Sequence, residues 1–90
     1  MQDKGIEPVP VQRYRQVAGE EFGRFMVRAR QRAGLTQQQF AWRLSLRQTE
    51  ISRLERGNHC PRLDTFVRVI AKLEADPREL LQAIADAYGL

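Results

Sequence analysis

The chain's 90 residues carry 15 Lys and Arg against 11 Asp and Glu, a net charge of +4, with 42% apolar residues and one cysteine. That length allows a single domain with a modest core. It contains no run of about 18 apolar residues to cross a membrane, and Cys60 alone cannot close an internal disulfide. The charge is unevenly spread: residues 13–62 hold 11 arginines and 4 acidic residues, whereas residues 63–90 hold 3 basic and 5 acidic ones. Arginine supplies 13 of the 15 basic side chains. Its guanidinium fork suits phosphate and guanine, although a merely solvated surface carries the same charge.

Residues 1–17 contain Pro8 and Pro10 and show no helical periodicity. They predict a flexible N-terminal arm, ordered only against a partner. The opening "MQDKGIEPVPVQRYRQ" lacks the apolar stretch of a signal peptide, which predicts a cytoplasmic protein. From Gly19 the pattern changes. Phe22, Met26, Ala29 and Ala33 recur at helical spacing among Arg24, Arg28, Gln31 and Arg32, predicting a first helix of about 14 residues stopped by Gly34.

Thr36 opens a second helix, with Gln39 placed to complete a capping box and Phe40, Ala41 and Leu44 as its apolar stripe. Ser45 interrupts the pattern. A third helix is predicted from about Arg47 to Arg56, closed by Gly57 and Asn58, with only Ile51 and Leu54 apolar within it. Such a helix is not stable alone, so it must be held from behind by a few contacts. After a loop around Pro61, "LDTFVRVIAKLE" predicts a fourth helix burying Leu63, Phe66, Val67, Ile70, Ala71 and Leu73. Asp76 caps a fifth, with Pro77 in its first turn, Glu79 as reciprocal partner and Leu80, Leu81, Ile84 and Tyr88 as its apolar side.

Taking Ile51 and Leu54 as the inward direction of the third helix leaves Thr49, Ser52, Arg53 and Arg56 pointing outward, with Gln48 beside them. These side chains have the chemistry of base readout. Gln pairs with adenine and Arg with guanine at two points each, the Thr methyl meets thymine, and Ser suits several bases.

The segment "LTQQQFAWRLSLRQTEISRLERGN" resembles the helix-turn-helix of the phage-repressor-like family (lambda repressor, Cro, Xre type). Counting from Gln37, that motif expects apolar residues at places filled here by Phe40, Leu44, Leu46, Ile51 and Leu54, and a small residue where Ala41 stands. "RARQRAGLTQ", "EISRLERG" and "P…TF…IAKLEADPRELL" extend the likeness over residues 19–85. It implies an all-α fold: a compact five-helix lambda-repressor-like DNA-binding domain over residues 18–90, with the motif at about 36–56 and the flexible arm before it. It also implies a transcriptional regulator, a repressor binding a palindromic operator in double-stranded DNA as a homodimer, located at the nucleoid when bound.

Carried over residue by residue, the resemblance assigns Gln48, Thr49, Ser52 and Arg53 to base edges. Gln37, Arg43, Arg47, Arg56, Asn58, His59 and Arg62 fall to phosphates, and Arg30 and Glu55 to an internal salt bridge, with Arg30 touching DNA as the other reading. Ser45 departs from the glycine usual at the turn, where a left-handed residue is often needed. Arg47 and Arg62 depart from the usual Ser or Thr caps. Trp42 replaces a polar residue and either packs against the arm or first helix or meets a partner. Leu81, Ile84 and Tyr88 are candidates for the dimer surface, or else close the core.

His59 and Cys60 are adjacent with no second pair to complete a zinc site, and neither a glycine-rich phosphate loop nor a paired-carboxylate cleft is visible. No enzyme, metal or cofactor is expected. Three alternatives remain. An antitoxin would bind its operator through this domain and a toxin through the arm or Trp42. A controller protein of a restriction–modification system has similar size and fold. A helical adaptor would bind an acidic protein instead of DNA.

Overall fold

The caps and glycine stops become five helices in the computed structural model, which describes residues 11–89. These are α1 (Val11–Arg32), α2 (Gln37–Leu44), α3 (Gln48–Glu55), α4 (Leu63–Leu73) and α5 (Pro77–Tyr88), with no strand among the described residues. The α1 helix starts earlier than the Phe22–Met26–Ala29 pattern predicts, so residues 11–17, assigned to the arm, are helical; residues 1–10 lie outside the described part. Two contacts explain the extension. The ring of Tyr14 lies 5.5 Å from that of Tyr88, whose hydroxyl donates to the Arg13 carbonyl at 2.9 Å. One turn further on, Val17 is buried. An apolar side thus continues N-terminal to Gly19, diluted in sequence by Arg13, Arg15 and Gln16.

The core is built from the inward stripes of all five helices: Phe22, Phe25, Met26 and Ala29 of α1, Phe40, Ala41 and Leu44 of α2, Ile51 of α3, Val69 of α4 and Leu80 of α5. Phe25 joins it although it lies off the stripe used to predict α1. Its ring meets those of Phe22 and Phe66 at centroid distances of 6.1 Å each. Burying each such side chain contributes about 1.5–3 kcal/mol.

Two glycines let α1 run directly against the end of α3 and the loop that follows it. Gly19 and Gly23 are four apart on one face of the helix. A Cβ at Gly23 would stand 2.8 Å from the Leu54 carbonyl oxygen, and one at Gly19 would stand 3.0 Å from that of His59. The Gly23 contact leaves no room for a side chain, and the Gly19 contact admits one only if the loop backbone gives by a few tenths of an ångström. The far end of α1 is tied to α5 by Glu79, which accepts from Arg32 Nη1 at 2.8 Å and Arg28 Nε at 3.0 Å.

The α4 helix is rotated from its expected orientation. Val69 points inward with Thr65 one turn before it, and Phe66 and Leu73 pack on the core as expected, while Leu63, Val67 and Ala71 are exposed rather than buried. Apolar residues occupy more than half of this helix's circumference, so periodicity alone does not select the face that meets the core. On α5, similarly, Leu80 is buried and Leu81 is exposed.

Candidate nucleic-acid interface

The two central helices are shaped by their caps. Thr36 Oγ1 accepts from the Gln39 amide at 3.1 Å while Gln39 Oε1 accepts from the Thr36 amide at 2.9 Å, a complete capping box. Ser45 ends α2 in the left-handed conformation, φ 56° and ψ 42°, taking the strained turn usually given to glycine. At the start of α3 the reciprocal pair is only half made. The Arg47 amide donates to Glu50 Oε1 at 3.2 Å, but an arginine side chain has no acceptor to return the bond.

The eight residues of α3 are anchored from behind by Ile51, which is fully buried, and by the half-buried Leu54. Gln48, Thr49, Arg53 and Arg56 are exposed on the remaining surface. Ser52 lies among them but is half-buried, and its hydroxyl donates to Gln37 Oε1 at 2.9 Å. Its proton is committed, so Ser52 can offer a base only its lone pairs.

Gln37 belongs to the same network. Its Nε2 donates to Glu55 Oε1 at 2.9 Å, which leaves one amide proton for a phosphate. Glu55 in turn accepts Arg30 Nε on Oε2 at 2.7 Å and Arg30 Nη2 on Oε1 at 3.1 Å, and Arg30 Nη1 reaches the Leu35 carbonyl at 3.1 Å. The bonds to Glu55 hold the Arg30 guanidinium above its ordinary pKa. One chain of bonds thus joins α1, the α1–α2 turn, the start of α2 and the outer flank of α3. Neither the Gln37–Ser52 bond nor the two-glycine contact is in the sequence expectations. The four-residue spacing of Gly19 and Gly23 is the one signal that announces the contact.

The other candidate side chains surround this flank. Arg43, Arg47, Asn58, His59 and Arg62 are all exposed. Arg62 pairs loosely with Asp64 at 3.3 Å. Trp42 does not pack on α1: it is 85% exposed, beside an open groove formed with Leu35, Gln38, Gln39 and Arg43. Among the three proposed dimer residues, Ile84 packs on the core and Tyr88 holds the start of α1, which leaves Leu81 as the exposed one. Among the described residues no cluster of three metal-binding side chains occurs, and no helix is long and apolar enough to cross a membrane.

Two short helices joined by a left-handed turn, the second pinned by a minimal apolar anchor with its polar flank outward, define a helix-turn-helix protein. The chain belongs to the helix-turn-helix domain family, whose pattern matches residues 21–90. No curated protein and no solved structure matches it. Membership of that family points to a DNA-binding regulator.

Proposed function

We propose that this protein is a sequence-specific transcriptional regulator of the phage-repressor (lambda repressor/Cro, Xre) type, a repressor that binds a palindromic operator as a homodimer. The observation that carries the reading is the exposed flank of α3, where Gln48, Thr49 and Arg53 stand clear of the protein opposite the buried Ile51. An eight-residue helix is about 12 Å long and its first turns fit the major groove. In this reading Arg53 takes guanine O6 and N7, Gln48 an adenine edge, Thr49 a thymine methyl, and Ser52 accepts from an exocyclic amine. Arg43, Arg47, Arg56, Asn58, His59, Arg62 and the spare Gln37 amide proton hold phosphates on either side. These contacts position the helix without specifying sequence.

The dimer follows from information content. One short helix reads only about four or five base pairs, and two-fold pairing doubles the site with half-sites about one helical turn apart. Exposed Leu81 of α5 and exposed Leu63 and Val67 of α4 are among the apolar side chains available for pairing. A role as an antitoxin rests on a separate observation, the exposed Trp42 beside its groove. Selection of bound fragments from a random duplex library tests the main reading. A symmetric consensus with two half-sites supports it; enrichment of no sequence overturns it.

A further inference from the structure

The early start of α1 does more than lengthen the helix. Gln12, Arg15 and Gln16 share one face at spacings of three and four, and that face looks across an open groove of about 770 Å³ at Asn58 and His59 of the α3–α4 loop. The width of the groove is set by the close approach at Gly19, where α1 meets the His59 carbonyl with no side chain between. His59 and Cys60 are a shared wall. On their other side lies a second groove containing Arg53 and Arg62. The side chain proposed to read guanine and the guanidinium of Arg15 therefore flank the same two loop residues.

The groove offers donors in excess. Arg15 makes no ion pair or hydrogen bond among the described residues, and the amides of Gln12, Gln16 and Asn58 are likewise uncommitted there. The one acid among the described lining residues, Glu20, sits against Gly57 at the other end, five residues from Arg15, or about 7.5 Å along the helix. We infer that this groove is a second DNA-backbone site, in which Arg15, flanked by Gln12 and Gln16, holds a phosphate of the duplex just beyond the base pairs read by α3. The inference rests on the reading of α3 as the recognition helix. It differs from that reading in placing contacts on α1, outside the helix-turn-helix, and in extending the footprint rather than sharpening the sequence preference.

The test is a salt titration of the full chain on its selected operator, comparing the parent protein with Arg15→Ala and Glu20→Gln. A second, shorter duplex is trimmed to the base pairs of the consensus. On the long duplex Arg15→Ala should weaken binding to all sequences alike and lower the slope of log affinity on log salt by about 0.9. The advantage of the parent should then shrink about threefold between 50 and 200 mM salt. On the trimmed duplex the parent and Arg15→Ala should bind equally. Glu20→Gln, which removes the opposing charge without emptying the groove, should raise affinity on the long duplex. Circular dichroism melting checks that both variants fold, as expected for exposed side chains. An unchanged slope and affinity for Arg15→Ala, or a loss confined to particular bases, overturns the inference. Failure of the parent to bind any duplex overturns the reading of α3 itself, so the two failures are distinguishable.

Discussion

Ser52 and Gln37 are joined by a 2.9 Å hydrogen bond from the serine hydroxyl to the amide oxygen, and the same amide donates to Glu55 at 2.9 Å. The first turn of α2 thereby fixes the outer flank of α3 through the carboxylate that Arg30 grips from α1. Orientation of the exposed flank of α3 is consequently a property of three helices rather than of α3 alone.

The Arg30–Glu55 pair is the stressed joint of that arrangement. The Glu55 side chain is only 6% exposed and that of Arg30 19%. Removing one partner of a buried pair costs about 3–5 kcal/mol, and the open edge of Arg30 puts this pair at the low end. Arg30→Ala should show that loss in urea unfolding. Glu55→Gln, which keeps an acceptor for Arg30 and Gln37, should lose less. Equal losses for the two variants would contradict the view that stranding the deeper Glu55 carboxylate costs more than stranding the partly open Arg30 guanidinium.

Gly23 provides an independent check on the packing of α1. In a helix interior alanine normally stabilises relative to glycine by about 1 kcal/mol. Here its Cβ would press on three backbone atoms of the α3 end, the nearest at 2.8 Å. Gly23→Ala should therefore destabilise, by about 1–3 kcal/mol as overpacking does. Thermal melting that shows a stabilised variant would mean that α1 and α3 do not touch in this way.

Acid should loosen the α1–α5 contact. The hydrogen bonds from Arg32, and then Arg28, hold the Glu79 carboxyl below its ordinary value of 4.5, and Arg78 does the same for Asp76. A depressed folded pKa means that the unfolded chain binds the proton more readily. The contribution is thus complete above the ordinary carboxylate range and is lost as pH falls through the folded value. Glu79→Gln should be less stable than the parent at neutral pH and should flatten, in part, the fall in stability between about pH 5 and pH 3. Parallel unfolding curves for parent and variant across that range would refute the assignment.

Much of this was legible in the residues because several helix boundaries are written in local chemistry. Thr36 with Gln39, Asp76 with Pro77, and Gly34 and Gly57 act within one turn of the chain, so their effects can be read without knowing the fold. The extension of α1 to Val11 was not legible, since it depends on Tyr88 from the other end of the sequence. Nor was the rotation of α4, whose apolar residues Leu63, Val67, Phe66 and Val69 leave two faces chemically eligible until α1 and α2 select one. Among candidate interface residues, Gln48, Thr49 and Arg53 are exposed because Ile51 and Leu54 hold the opposite side of a short helix against the core. Ser52 and Gln37 turned partly inward because each found the other, a pairing across 15 residues that spacing within one helix does not reveal.

The central claim is that the exposed flank of α3 reads bases while the surrounding cations hold phosphates, and the direct test is a specificity profile. Affinities of the parent, Arg53→Ala and Arg43→Ala are measured on the selected operator and on each of its single-base variants. Arg53→Ala should cost about 1–3 kcal/mol on the operator and abolish preference at one position, while Arg43→Ala should weaken every duplex alike. A parent-like base profile for Arg53→Ala, with discrimination intact at every position, would contradict the account.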